Sequence, residues 1–398
     1  MRRASLFVLG LLITGITQPV IARSPQVALV TFGPGRLYWE RFGHNAIVVN
    51  EPGTGKATAY NYGVFDFEQK NFFLNFARGR MRYQLVAEPL NADLAMYAAE
   101  ARSVTVQVLS LTPAQAERLA QFLAWNARPE NADYVYDYFT NNCSTKLRDA
   151  LNAALGGMLE RQLTRLPAPH TYRFDAVRLI SPALWLAIGM DAALGPSADR
   201  PLNLWQESFA PEVLGHALRQ VVVRDANGET RPLVSAEEVV LASALPTAPA
   251  APPDLGLPFL LAGLALAGLL LCLARGRRSS HRVCFALMAA ASWMICGFSG
   301  LALAALWGLT DHWAARGDEN LLLLNPLCLV VPVLWWRAPR IARWLVTLIA
   351  LTALASLVVR ALPGLYQRNL PFIALTVPVH MSVAVLAWRQ RMAAGHAM

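Results

Sequence analysis

Hydrophobic positions divide the 398 residues into three stretches of different pattern. Met1-Arg2-Arg3 precede an apolar run from Leu6 to Ile16 and then Val20-Ile21-Ala22, the order of charge, apolar core and small residues found in a secretory signal. Residues 1–22 are therefore read as a signal peptide cleaved after Ala22, or as an uncleaved N-terminal anchor. From Pro25 to about Leu245 the pattern is mixed. Strand-like runs are predicted at Val27–Phe32, Ala46–Asn50, Thr58–Tyr62 and Val104–Leu109, and helix-like runs at Leu90–Ala101, Pro113–Asn126 and Ser144–Leu155. This predicts one α+β domain over residues 23–245. The segment Pro246–Asp254, with Pro246, Pro249, Pro252 and Pro253, suits neither helix nor strand and is read as a linker.

Beyond the linker, 255–398 holds five apolar stretches long enough to approach or span a bilayer: Leu255–Ala274, Cys284–Leu309, Leu321–Trp336, Ile341–Leu362 and Leu370–Trp388. The third is short, which leaves room for a partly re-entrant segment. Basic residues favour the cytoplasmic side of a membrane. Arg275, Arg277, Arg278 and Arg282 follow the first stretch, Arg337, Arg340 and Arg343 the third, and Arg389 and Arg391 the fifth. The intervening loops are poorer: one sets Asp311, Asp318 and Glu319 against Arg316, the other has Arg368. The alternation predicts a periplasmic domain followed by an all-α bundle of about five transmembrane helices in a bacterial inner membrane, with the C-terminus in the cytoplasm.

Composition agrees with two unlike parts. A chain that is 55% hydrophobic and 15% charged is too apolar for one soluble domain and too polar for an all-membrane protein. The net charge of +9 sits largely at the N-terminus and beside the apolar stretches, a placement that argues for topology and against nucleic-acid binding. Of five cysteines, only Cys143 lies in the polar part, so no disulfide can form within it.

That cysteine stands in Tyr138-Phe139-Thr140-Asn141-Asn142-Cys143-Ser144-Thr145, where an aromatic cluster leads into an amphipathic helix with Asn142 as predicted N-cap. In the first turn, free backbone N–H groups and the helix dipole are expected to lower the thiol pKa and to hold an oxyanion, with Asn142, Ser144 and Tyr138 as candidate contacts. A thiol nucleophile needs a base. Of His44, His170 and His216, the first is best situated, in Phe42-Gly43-His44-Asn45 at the start of an apolar strand; His170 follows two prolines in a loop and His216 falls on a helix. If the hairpin after His44 turns near Gly53-Thr54, Asn61 lies diagonally from His44 on the same face and can orient the imidazole; a slip of one residue would point it away. Neither an H-x-x-x-H nor a C-x-x-C spacing occurs, and no metal or other cofactor is expected. In the membrane part, Asp311, His312 and Asn320 fall in one periplasmic loop and Asn325 within the third stretch. They are candidates for binding a lipid head group or closing over the site, although a short solvated loop is the simpler account of the first three.

Taken in order, His44, Asn61 and Asn142-Cys143 at a helix start resemble circularly permuted papain-like thiol enzymes, including NlpC-like and lecithin:retinol acyltransferase-like proteins. The set Phe42-Gly43-His44-Asn45, Tyr60-Asn61-Tyr62-Gly63 and Asn141-Asn142-Cys143-Ser144-Thr145-Lys146 more closely resembles the Lnb N-terminal periplasmic domain family, over roughly residues 25–190. The membrane loop around Asp311-His312, with Asn320 and Asn325-Pro326, is similar to that family's C-terminal part. The resemblance implies a lipoprotein N-acyltransferase, whose partners are a phospholipid and a lipoprotein bearing a diacylglyceryl-cysteine. A cell-wall peptidase or amidase with the same Cys-His dyad, and a non-enzymatic membrane-tethered binding module, are the competing readings.

Overall fold

Strand-like segments of the first 245 residues pair into one sheet in the computed structural model, which describes residues 24–225, 227–360, 362 and 366–395. The expected signal segment 1–22 lies outside the described residues. Seven strands, β1 (Gln26–Phe32), β2 (His44–Asn50), β3 (Ala57–Val64), β4 (Arg82–Pro89), β5 (Val104–Leu109), β6 (Asp133–Val135) and β9 (Val234–Leu241), lie in the order β6-β4-β3-β2-β1-β5-β9. Every neighbouring pair is antiparallel. Two short strands, β7 (Val222–Arg224) and β8 (Thr230–Pro232), form a separate hairpin.

The central strand β2 is covered on both faces, which is why Ala46-Ile47-Val48-Val49 is an unbroken apolar run instead of an alternation. On one face Leu29, Ile47, Val49 and Tyr62 pack against helix Pro113–Asn126 through Leu119 and Leu123, and against helix Cys143–Ala154 through Leu147 and Leu151. On the other face Val30, Phe32, Ala46 and Val48 meet Tyr97 of helix Leu90–Ala99. Each fully buried leucine contributes about 1.5–3 kcal/mol, so the Cys143 helix is anchored by its apolar stripe.

Five segments are long and apolar enough to cross a membrane: Gly256–Arg275, Ser279–Leu309, Glu319–Arg337, Pro339–Val359 and Leu370–Arg389. The third is not a continuous α-helix. It runs as two 3-10 turns, Glu319–Leu322 and Pro326–Val330, before a short helix Val331–Arg337. Pro326 disfavours helical geometry at the residue before it, and Asn325 is extended (φ −87°, ψ 125°). The irregular backbone packs against two glycines of the second segment: a Cβ on Gly300 would lie 1.9 Å from the Leu324 carbonyl oxygen. Only glycine allows that approach.

The loop between the second and third segments is not solvated as expected. Asp318, Glu319 and Asn320 are 2%, 7% and 0% exposed because the end of the periplasmic domain covers them. Asn320 Nδ2 donates to the Ala192 carbonyl (2.9 Å), Gln367 Nε2 donates to Asp318 Oδ1 (2.8 Å) and to the Leu194 carbonyl (3.0 Å), and Gly195 N–H donates to the Ala314 carbonyl (2.7 Å). The helices between 156 and 218, for which the sequence suggested no role, supply this junction.

Candidate active site

Cys143 is the first residue of helix Cys143–Ala154. Asn142 caps it: its Oδ1 accepts from Thr145 N–H (2.9 Å), while Thr145 Oγ1 accepts from Asn142 N–H (2.8 Å). Asn142 Nδ2 donates to the Tyr138 and Phe209 carbonyls, both at 2.9 Å. Ser144 is fully buried, with Oγ directed at Asn45 Oδ1 (2.9 Å) and the Ser208 carbonyl (2.8 Å). The side chains of Asn142 and Ser144 are thus fully engaged in holding the turn. What they leave at the thiol is backbone: the N–H groups of Asn45, Ser144 and Cys143 lie close enough to favour its thiolate form.

His44 opens β2 and is one residue from Asn45, so the Asn45–Ser144 bond ties the histidine-bearing strand to the cysteine-bearing helix. In the β2/β3 register Ile47 pairs with Tyr60, and Asn61, one residue further, reaches diagonally to His44: Nε2 and Asn61 Oδ1 are 3.0 Å apart. The amide orientation is set behind it, because Asn61 Nδ2 donates to Asp93 Oδ2 (2.9 Å). With Oδ1 facing the ring, Nε2 carries the proton and Nδ1 is the basic nitrogen. Phe32 stacks on the imidazole (5.9 Å between centroids) and Tyr97 on Phe32 (3.8 Å), which restricts the ring further.

Gly63 lies at a register shift in β3, with φ +97°. A Cβ there would sit 3.3 Å from Cys143 Cβ. The missing side chain and the left-handed backbone together let strand and helix start meet.

The electrostatics differ from those predicted at the helix start. Burial pushes the Cys143 thiol up to about 11, outweighing the three N–H groups that draw it down. Burial lowers His44 to about 4, against the bond to Asn61 that raises it. At neutral pH both the thiol and the imidazole are therefore uncharged.

Tyr138 is partly exposed and its ring stacks on His312 (6.0 Å). The membrane loop is docked here. Asp311 pairs with Arg80 (2.6 Å), His312 Nε2 lies 3.1 Å from the Phe76 carbonyl, and Trp313 Nε1 donates to Asp137 Oδ2 (2.9 Å). Asp137 Oδ1 in turn accepts from Phe139 and Thr140 N–H in the turn leading to Cys143. Asn320 and Asn325 are elsewhere: the first is the buried junction contact described above, and the second caps the 3-10 turn through Leu327 N–H (3.0 Å).

Residues 16–181 match the family model of the Lnb N-terminal periplasmic domain. This N-terminal region belongs to that family. No curated protein and no solved structure matches the chain. The matched segment of the Lnb domain includes His44, Asn61, Asp93 and Cys143. It ends before residues 204–209, whose carbonyls at Ser208 and Phe209 hold the start of the cysteine helix and whose Trp205 ring lies under Arg148 (3.7 Å).

Asp93 and Gly63 were not singled out from sequence. The signal for Asp93 is an acidic residue four positions before Tyr97, on the packing stripe of its helix. His170, Asp175 and Glu207 each bring one ligand atom within 4.8 Å of the others, a grouping among the described residues that could hold a metal. Arg178, however, donates twice to Asp175 Oδ1 (2.8 and 3.0 Å). A guanidinium thus already supplies positive charge there.

Proposed function

We propose that the chain is a bacterial inner-membrane lipoprotein N-acyltransferase that works through a Cys143 thioester. The observation that carries this reading is the docking of the membrane loop at Asp311–Trp313 on the turn that leads into Cys143, which would keep that thiol close to a lipid surface. The match of residues 16–181 to the Lnb N-terminal periplasmic domain supports it further.

In the first half-reaction the Cys143 sulfur attacks the ester carbonyl carbon of a phospholipid while His44 Nδ1 takes the thiol proton. Backbone N–H groups at the start of the helix stabilise the tetrahedral oxyanion. Its collapse breaks the ester C–O bond, His44 returns the proton to the departing lysophospholipid oxygen, and an S-acyl cysteine remains. In the second, the α-amino group of a diacylglyceryl-cysteine attacks the thioester carbonyl, His44 takes the amine proton, and the C–S bond breaks. The sulfur leaves and is reprotonated, and the acceptor carries an amide. Asn61 and Asp93 hold the imidazole in one tautomer through both steps.

The test is mass spectrometry of lipoprotein N-termini from cells with the gene intact, deleted, or encoding Cys143→Ala. N-acylation only with intact Cys143, together with an acyl adduct on that residue, is expected. Identical N-termini in all three strains would overturn the proposal.

A further inference from the structure

Helix Phe72–Arg78 is short and has an unusual surface. Phe73 is 78% exposed, and Leu74 and Phe76 are each nearly half exposed. Three large apolar side chains on seven residues are a poor face to offer water, at about 25 cal/mol for each Å². Its position explains what covers them. The Arg78 carbonyl accepts from Asp311 N–H (2.9 Å), and Asp311 is two residues beyond the end of the membrane segment Ser279–Leu309. Together with the Arg80–Asp311 pair and the His312–Phe76 contact, this ties the helix to the point where the chain leaves the bilayer. Lys70, Arg78 and Arg82 are exposed around it, while Arg80 is paired with Asp311. Apolar side chains beneath a basic rim are what a phospholipid surface recognises.

Aromatic rings continue from the helix in two directions. Phe72 meets Phe67 (5.1 Å), and Phe67 meets Trp39 (6.0 Å). Phe76 meets Tyr138 (6.4 Å), whose carbonyl holds the cap of the Cys143 helix.

We propose that helix Phe72–Arg78 enters the periplasmic-side leaflet and passes a phospholipid acyl ester along the Phe76–Tyr138 side to Cys143. The insertion stands on the geometry alone; the identity of the lipid as acyl donor rests on the acyltransferase reading.

The experiment uses the full chain in phospholipid nanodiscs containing a lipid with a photoactivatable diazirine on its acyl chain. Crosslinked peptides are mapped, and acylation of Cys143 by vesicle phospholipid is compared with acylation by a water-soluble short-chain ester. Crosslinks are expected on residues 72–80. In Phe73→Ser/Leu74→Ser the ratio of phospholipid-driven to short-ester acylation should fall at least tenfold, whereas a merely structural role would lower both rates together. Crosslinks on the spanning segments but none on 72–80, as when a second copy or a lipoprotein covers this face, would overturn the proposal, as would an unchanged ratio. If wild type is acylated by neither donor, the acyltransferase reading falls and with it the delivery role, while the crosslinks still decide insertion.

Discussion

Asp93 never meets the thiol, yet the structure makes it decisive for His44. Its Oδ2 accepts the only bond from Asn61 Nδ2 among the described residues, and that bond keeps Asn61 Oδ1 turned towards the ring. In Asp93→Ala the buried Nδ2 loses its acceptor, at a cost of about 1–3 kcal/mol. The amide can then rotate and set a donor against the Nε2 proton. If the whole cost appears where His44 becomes cationic, the rate falls about 5- to 150-fold. Asp93→Asn retains an acceptor oxygen and should lose less than about tenfold by the same reasoning. Single-turnover acylation of Cys143 by a short-chain ester, followed by intact-protein mass spectrometry, reads this without lipid delivery. The expected order is wild type, Asp93→Asn, Asp93→Ala, then Asn61→Ala. An Asp93→Ala protein that acylates within twofold of wild type would refute the argument that Asp93 orients the base.

Three further outcomes are expected. Because burial lowers His44 to about 4, the base is neutral above that pH; the acylation rate should be level from about pH 5 to 8 and fall on acidification through about 4, and half-loss near 6.5, as for a free imidazole, would contradict it. Gly63→Ala forces a side chain into backbone with φ +97° and against Cys143 Cβ; a loss of stability of about 1–2 kcal/mol and slower alkylation of Cys143 by iodoacetamide are expected, and unchanged alkylation would show that the strand does not shape the thiol. Burial, with Asp175 beside it, raises Glu207 to about 7 from 4.5, so the native state favours its protonated form: this stabilisation is full below pH 4.5 and is lost as pH rises through 7. The melting temperature of the full chain in detergent should therefore drop less between pH 5 and 8 in Glu207→Gln than in wild type, and equal drops would exclude the effect.

Much of the architecture was legible from local pattern. The apolar run in β2, the alternation of basic loops and the Asn-Cys step all reflect interactions within a few residues or with a featureless solvent, water or lipid, and such interactions leave their mark on the order of side chains. Asn61 was reachable for the same reason, since hairpin register relates it to His44 by counting. The broken third membrane segment was foreshadowed by its length and by Asn325-Pro326.

What counting could not reach depends on surfaces far apart in the chain. Helix Leu90–Ala99 carries Asp93 to Asn61 only because the sheet is covered on that face, and no periodicity encodes which helix does the covering. The ionisation of Cys143 was expected to follow the helix dipole, a local effect; it follows desolvation, which depends on everything packed around the sulfur. The segment Asp318–Asn320 reads as solvated in isolation and is buried because residues from 192 to 199 and the Gln367 side chain close over it. Sequence alone therefore pointed to His44, Asn61 and Cys143 as the candidate site and to the stretches apolar enough to span a membrane. The tertiary structure decided how the His44 imidazole is oriented, why the Cys143 thiol rests protonated, and that the turn before Cys143 lies against the membrane part, because each of these arises from contacts between segments that sequence order keeps apart.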